Sequence, residues 1–227
     1  MNTIYGSLLD RAGLNTIIYH DPYAKLCLIS TLVFELNKEQ RKKILYIDLD
    51  TVFTAYVRAE LITPFKLQKI NSSLYTSDLL RIYIPDERIH MAILDVIKHM
   101  EEASIIIFDS VTSFYSLFQF EMETNKSLRQ DLGRFNQSLL VLIMLLLKNT
   151  KFMKIPLLVT SMIRHKRKGM WISSPTANRF LSAKSTAKFY VRMETENDIG
   201  VNVLTHPNLS AQKFILPIKG IKLVSTS

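Results

Sequence analysis

Residues 104–109 read Ser-Ile-Ile-Ile-Phe-Asp, a run of apolar, mostly β-branched residues that ends in a carboxylate. Similar runs lie at residues 15–19, 44–48, 80–84 and 155–160. Continuous apolar runs of this length are typical of strands that are buried on both faces, as in a parallel sheet. The five runs therefore predict the central strands of one sheet.

Segments with helical spacing of apolar residues lie between these runs, at residues 24–36, 87–103 and 127–148. Strands that alternate with helices of this length predict an α/β fold, with a mostly parallel sheet flanked by helices. Residues 186–195 and 201–205 predict a hairpin, and residues 213–218 a further strand. We therefore expect antiparallel strands at the C-terminal edge of the sheet.

The composition suits one intracellular domain. The chain has 227 residues, 48% of them hydrophobic, and no Pro/Gly/Ser-rich linker divides it, so we expect a single domain over residues 1–227. One cysteine, Cys27, allows no internal disulfide and fits a reducing compartment. Residues 1–13 lack the apolar stretch of a signal peptide, and the apolar run at 139–147 is too short to span a bilayer. We expect a cytoplasmic or nucleoid protein without a membrane partner.

The charge of the chain favours an anionic partner. Lys and Arg number 29 against 20 Asp and Glu, which gives a formal net charge of +9. An excess of this size indicates nucleic acid first and a membrane surface second, although some proteins are basic without either partner.

Carboxylates follow two of the predicted strands. In open α/β sheets ligands bind beyond the carboxyl ends of the strands, where Asp48, Asp50 and Asp109 stand here. Asp109 has the position of a Walker B aspartate, which holds magnesium through water. Alternatively, Asp109 or Ser110 caps the next helix. A third interpretation is that the three carboxylates bind two metal ions and cut phosphodiesters.

The distribution of glycine argues against a phosphate-binding loop. None lies between Gly13 and Gly133, whereas such a loop needs glycines to turn its backbone amides inward around phosphate. The first strand-to-helix turn has Asp21, which repels phosphate, and Tyr23, which obstructs it. Lys25 stands near the place of a phosphate-binding lysine, but no Ser or Thr follows it to ligate magnesium. We therefore expect no ATP or magnesium cofactor, and an exposed Lys25 in the first helical turn.

The same pattern resembles the RecA superfamily of recombinases, in particular its archaeal RadA and RadB branches, over residues 14–224. Residues 43–53 (KILYIDLDTVF) resemble the strand that carries the family's catalytic glutamate, and Asp50 falls at that position. Residues 105–115 (IIIFDSVTSFY) are similar to its Walker B strand, and residues 155–163 (IPLLVTSMI) to its fifth strand. Residues 175–193 and 206–221 continue the resemblance.

The chain departs from the family pattern at three parts of the ATP machinery. The Walker A residues are absent or displaced, Met162 replaces the phosphate-sensing glutamine, and the Gly-Gly pair after the DNA-binding loop reads Ala177-Asn178. The family's N-terminal helical DNA-binding domain is not recognisable in this sequence. The resemblance therefore implies a recombinase paralogue with a degenerate ATPase, in which Asp50 and Asp109 are vestigial and no residue is catalytic.

A basic segment follows the fifth predicted strand, at the place of the family's second DNA-contacting loop. Residues 164–171 read RHKRKGMW, and four fixed positive charges can neutralise several phosphates, while a tryptophan can stack on an unpaired base. Lys188 could extend the basic surface. We expect a DNA-binding loop, with single-stranded DNA favoured, formed by Arg164, His165, Lys166, Arg167, Lys168, Trp171, Arg179 and Lys184. Alternatively, the loop is solvated and Trp171 folds into the core.

These features favour an accessory protein of DNA recombination or repair that forms a homo- or hetero-oligomer, or binds a recombinase or a paralogue. Besides the carboxylate-metal nuclease, three other functions stay open at this point. The first is a pseudo-ATPase interaction subunit that does not bind DNA. The second is a working nucleotide switch that uses Lys25, Asp50 and Asp109. The third is a signalling role like that of the KaiC-like branch of the superfamily.

Overall fold

The structure is a computed structural model that describes residues 8–39, 42–85, 89–124, 132–168 and 170–222. The helices are α1 (Pro22–Glu39), α2 (Val52–Arg58), α3 (Ile89–Lys98), α4 (Val111–Thr124), α5 (Leu132–Met153) and α6 (Asn178–Lys184), with a 3₁₀ turn at Met100–Glu102. The strands are β1 (Leu14–Tyr19), β2 (Lys43–Asp48), β3 (Gln68–Asn71), β4 (Leu74–Thr76), β5 (Leu80–Tyr83), β6 (Ala103–Asp109), β7 (Leu157–Lys168), β8 (Met170–Pro175), β9 (Ser185–Met193), β10 (Asp198–Thr205) and β11 (Lys213–Pro217).

One eleven-stranded sheet runs through the molecule in the order β11-β10-β9-β1-β7-β6-β2-β5-β4-β3, and β8 pairs with β7 outside this path. The strands from β9 to β5 in this order are parallel. All five predicted central strands are among them, which confirms the predicted α/β fold with a mostly parallel sheet. The register of β2 on β6 places Asp48 opposite Asp109, so the two carboxylates lie side by side at the carboxyl ends of their strands.

Antiparallel pairing occurs at both edges. At the C-terminal edge β9, β10 and β11 form the predicted antiparallel strands. At the opposite edge β3 and β4 form a short ribbon on β5 that the sequence does not predict. All four residues of β3 are exposed, so this strand has no alternation of apolar and polar residues to mark it.

The hydrophobic core lies on both faces of the sheet. Every residue of β6 is buried, with Ile105 and Ile107 in one apolar cluster and Ile106 and Phe108 in the other. The alternation of side chains along a strand explains this division. Helix α1 covers the first cluster, and α3 and α5 cover the second. A continuous apolar run is therefore what a strand between two helical layers needs.

The boundaries of several elements differ from the prediction. The helix expected over residues 87–103 ends at Lys98, and the helix expected over residues 127–148 runs from Leu132 to Met153 among the described residues. The fifth central strand, expected over residues 155–160, begins at Leu157 and continues to Lys168. Thr160, Ser161 and Met162 therefore lie inside this strand and not beyond its end.

Candidate functional site

A buried carboxylate, Asp109, stands at the end of β6 and accepts hydrogen bonds from three elements. Lys25 Nζ of α1 lies 2.7 Å from Asp109 Oδ2, and the hydroxyl of Tyr46 on β2 donates to the same oxygen at 2.6 Å. The hydroxyl of Thr160 on β7 donates to Oδ1. Because the carboxyl ends of parallel strands lie side by side, donors that are far apart in sequence all contact this carboxylate.

Lys25 is fully buried, and its ammonium lies between two carboxylates. Lys25 Nζ is 2.9 Å from Asp50 Oδ2 in addition to its contact with Asp109. Burial acts to lower the pKa of Lys25, but the charges of Asp109 and Asp50 outweigh it and hold this pKa well above its ordinary value. The prediction of an exposed Lys25 is wrong, because two carboxylates offset the cost of burying the ammonium.

Asp48 completes the group of carboxylates, which we call the Lys25 cluster (Lys25, Asp48, Asp50 and Asp109). Asp48 Oδ2 accepts hydrogen bonds from the backbone N–H of Thr54, at 2.8 Å, and from its hydroxyl. Asp48 Oδ1 is buried and has no hydrogen-bond partner among the described residues. Burial, followed by the charge of Asp109, raises the pKa of Asp48 to about 8. Asp48 therefore holds a proton at neutral pH.

This raised pKa makes the stability of the fold depend on pH. Between about pH 4 and pH 8 the unfolded chain releases the Asp48 proton while the folded chain keeps it, so stability falls as pH rises. We expect Asp48→Asn, which mimics the protonated acid, to reduce this loss between pH 5 and pH 8. Urea denaturation at both pH values measures the effect, with the exposed Asp78→Asn as the control. An unchanged pH dependence in Asp48→Asn would contradict the assignment.

The N-terminus of α1 is already occupied by the chain itself. Asp21 Oδ1 accepts the backbone N–H of Tyr23 at 2.8 Å, and Pro22 has no N–H to offer. The N–H of Lys25 donates to the carbonyl of Asp21 at 3.3 Å. A helix N-terminus binds anions through free backbone amides. Here three of the first four residues of the helix offer none.

Helix α4 begins at Val111, and its N-terminal hydrogen bonds show whether Asp109 or Ser110 caps it. Ser110 Oγ accepts the backbone N–H of Ser113 at 3.0 Å, which is the bond of an N-capping serine. The carboxylate of Asp109 points instead to Lys25, Tyr46 and Thr160. Ser110 therefore caps the helix, and Asp109 belongs to the Lys25 cluster.

The basic segment is part of a β-hairpin and not a loop, which corrects the prediction. β7 and β8 pair antiparallel over Ile163–Lys168 and Met170–Pro175, and the register places Arg167 opposite Trp171. The side chains of His165, Lys166, Arg167, Lys168 and Trp171 lie outside the described residues. The run of charges hid the strand, because it has no apolar residue in alternate positions.

The base of this hairpin is joined to the Lys25 cluster through β7. Thr160 contacts Asp109, and two residues later the backbone N–H of Met162 donates to Thr112 Oγ1 of α4 at 2.9 Å. Arg164 Nη2 lies 3.5 Å from Ser116 Oγ of the same helix. A hydroxyl within an apolar strand carries no signal of its own, so the sequence did not indicate Tyr46.

The remaining predicted DNA-binding residues follow the hairpin. Arg179 lies in the first turn of α6 and Lys184 in its last turn, and both are exposed. Lys188 lies on β9 and is half-buried. The structure thus places these three cations after the hairpin in the chain, on the short helix and the strand that lead back into the sheet.

No helix among the described residues has both the length and the apolar character needed to cross a membrane.

Comparisons with known proteins place this geometry in a known fold. No protein family matches the sequence, and no curated protein matches it. A solved structure, "Crystal structure of the RadB recombinase", aligns with a TM-score of 0.58 at 18% sequence identity, over 96% of this chain and 95% of that chain. Likeness at this level of identity shows the fold alone. The chain therefore has a RecA-like recombinase fold.

Proposed function

We propose that this chain is an accessory protein of DNA recombination or repair that uses a recombinase fold without effective ATP hydrolysis. One observation carries the proposal. The ammonium of Lys25 lies 2.7 Å from Asp109 and 2.9 Å from Asp50, buried inside the chain. A lysine that neutralises two carboxylates of its own chain is not free to bind phosphate.

The other residues at this edge of the sheet do not fit an ATP–magnesium complex either. Of the first four residues of α1, Pro22 has no N–H, the amides of Tyr23 and Lys25 donate to Asp21, and the side chain of Tyr23 is exposed at the same turn. Asp48 Oδ2 accepts two hydrogen bonds from Thr54, and a magnesium ion bound to this oxygen would have to displace them. Phosphate and metal would each have to displace a contact that the chain makes with itself.

We expect magnesium-ATP to leave the thermal unfolding temperature unchanged. A ligand that binds the folded state at one hundred times its dissociation constant stabilises it by about 2.7 kcal/mol, which a thermal scan detects easily. The scan is run with magnesium-ATP, magnesium-ADP and magnesium alone, and phosphate release is measured in parallel. A rise of several degrees with magnesium-ATP that is lost in Asp109→Asn would support a nucleotide switch and contradict the proposal.

DNA is the partner that the charge favours. The net charge is +9, and the β7–β8 hairpin carries four of the fixed positive charges within residues 164–168. A two-stranded ribbon of this kind can track a phosphate backbone, and its tryptophan can stack on an unpaired base. We therefore propose that the hairpin binds DNA, preferring single strands, and that the protein associates with a recombinase or a paralogue.

A nuclease is the second candidate, because carboxylate oxygens of Asp48, Asp50 and Asp109 all lie within 4.8 Å of one another. Two-metal nucleases use such groups of acids. In this chain Lys25 competes with any metal for Asp50 and Asp109, which favours the accessory role. Incubation of plasmid DNA with magnesium or manganese separates the two. Nicking that is lost in Asp109→Asn would identify a nuclease.

A further inference from the structure

Helix α5 is apolar on its outer side as well as on the side that packs on the sheet. Leu139, Ile143 and Leu146 are buried in the core. On the opposite side the exposed fractions are 63% for Val141 and 90% for Phe152. Such exposure of large apolar side chains along one helix indicates a contact surface.

The outward residues of α5 follow the spacing of a helix–helix seam. Val141, Leu145, Lys148 and Phe152 lie at positions i, i+4, i+7 and i+11. This alternation of four and three residues is the a/d pattern by which one helix packs against another. Three of the four positions are apolar, and Met144, 38% exposed, lies beside them. We call these five residues the α5 outer face.

Helix α3 lies beside α5 on the same side of the sheet and widens this surface. Met91 and Leu94 of α3 are 57% and 47% exposed. The two helices pack against the same buried cluster, in which Ile93 of α3 and Ile143 of α5 are both fully buried. Exposed apolar residues of both helices therefore lie on the same side of the sheet, and Met91 also lines a pocket with Leu74 of β4 and Tyr83 of β5.

The described charges on α5 itself have one sign. Lys148 and Lys151 are exposed on α5, and no acidic side chain is found among residues 135–153, the part of α5 whose side chains the structure describes. The acid of α3, Asp95, is half-buried and is held by Arg81 at 2.9 Å. Two copies of the chain that met through this surface would bring lysine against lysine, which is unfavourable. A partner with acidic flanks would complement it.

We propose that the α5 outer face and the adjoining residues of α3 bind an amphipathic helix of a partner protein, whose apolar stripe is flanked by Asp and Glu. The apolar stripe packs on Val141, Leu145 and Phe152, and the acidic flanks pair with Lys148 and Lys151, as in the packing of one helix against another along an a/d seam. The surface involves neither the Lys25 cluster nor the β7–β8 hairpin, so the inference is independent of the proposed function.

A synthetic helix tests the proposal with the full chain. The probe is a fluorescent peptide of about three heptads, long enough to form a helix, with leucine at a and d and glutamate at e and g. Two control peptides have the same residues in scrambled order, or lysine in place of glutamate. Fluorescence anisotropy is expected to show that the acidic helix binds about tenfold or more tightly than either control.

Variants locate the binding on the chain. Phe152→Ser and Val141→Ser are each expected to weaken binding of the acidic helix about tenfold, because each removes apolar contact area. Ile215→Ser is the matched control, since Ile215 is 61% exposed on β11, far from α5 in the sheet order, and should leave binding unchanged. Lys148→Glu with Lys151→Glu is expected to reverse the preference toward the lysine peptide. Circular dichroism verifies that each variant is folded.

Four outcomes would overturn the proposal. The first is equal affinity for the acidic and scrambled peptides, and the second is binding that Phe152→Ser leaves unchanged. The third is a dimer in sedimentation velocity that Phe152→Ser dissociates, which would make a second copy the occupant. The fourth is Phe152-dependent flotation with vesicles of phosphatidylcholine and phosphatidylserine, which would make a lipid surface the occupant. DNA affinity, measured on the two serine variants, which keep the net charge, should not change, so failure here leaves the proposed function standing.

Discussion

Replacing Lys25 by methionine is expected to lower the free energy of unfolding by about 3–5 kcal/mol, the usual cost of removing one partner of a buried ion pair. Methionine fills nearly the same space as lysine but brings no charge. Asp109 is fully buried, and without Lys25 its carboxylate keeps, among the residues that the structure describes, only the hydroxyls of Tyr46 and Thr160 as donors. Urea denaturation at pH 7 measures the loss.

Two further variants show that the loss arises from the buried charge. Asp50→Asn is expected to cost only about 1 kcal/mol, because the side chain of Asp50 is 22% exposed and water can replace its contact with Lys25. Lys25→Met combined with Asp109→Asn should recover part of the stability that Lys25→Met alone loses, since no unpaired charge then stays buried. If Lys25→Met alone lowered the free energy of unfolding by less than about 1 kcal/mol, the ammonium would not be a structural counterion.

The same variant separates the accessory protein from the nucleotide switch. If a lysine mainly contacts bound phosphate, replacing it weakens ligand binding more than it lowers the stability of the ligand-free protein. If a lysine mainly contacts Asp109 and Asp50, replacing it lowers the stability of the ligand-free protein more, because its partners belong to the fold. A large loss of stability without nucleotide, and no response to magnesium-ATP before or after the change, is the result that our proposal expects.

The sequence predicted the elements whose signal is local. Each of the five central strands is an apolar run, because each is covered by helices on both faces, and the hairpin of β9 and β10 has a turn-rich stretch between two β-branched runs. The β3–β4 ribbon could not be predicted in this way. The residues of β3 are exposed, only the central residue of the three-residue strand β4 is buried, and the ribbon exists because the edge of β5 is available for pairing.

The site depended on contacts between distant residues, which a local pattern does not contain. The sequence indicated Asp48, Asp50 and Asp109, since polar residues that follow apolar strands are easy to see. It did not indicate that Lys25 would meet them, because Asp50 is 25 positions away and Asp109 is 84. The register of β2 on β6 and the position of α1 bring these residues together. The prediction that Lys25 is exposed was therefore wrong. The prediction that Lys25 does not bind phosphate rested instead on the missing glycines and on the missing Ser or Thr after it.

Replacing the four basic residues of the hairpin by glutamine is expected to weaken DNA binding by at least about tenfold, and to flatten its dependence on salt. Each phosphate contact that is lost reduces the slope of log affinity against log salt by about 0.7 for a single strand, so four lost contacts reduce it by about 3. The variant is Arg164→Gln, Lys166→Gln, Arg167→Gln and Lys168→Gln together. Fluorescence anisotropy with labelled single- and double-stranded DNA at several salt concentrations measures both quantities.

A matched control tests whether the position of the charges matters or only their number. Four exposed lysines elsewhere, changed to glutamine together, remove the same net charge; they are Lys66, Lys69, Lys154 and Lys222. If the hairpin binds DNA, this control should retain most of the affinity and most of the salt slope. If both variants lose affinity equally, binding follows net charge and the hairpin has no special role.

Trp171→Ala separates stacking from charge within the same hairpin. Stacking of a base on an aromatic side chain contributes about 1–3 kcal/mol, so this variant should weaken binding to single strands about 5- to 150-fold. Paired bases have no free face for the indole, so binding to duplex DNA should change little, and the salt slope should stay as in the wild type. An equal loss on both kinds of DNA would point to damage to the hairpin. If neither kind of DNA loses affinity, the basic charges alone account for the binding. Stacking on Trp171 would then give the protein no preference for single strands over duplex DNA.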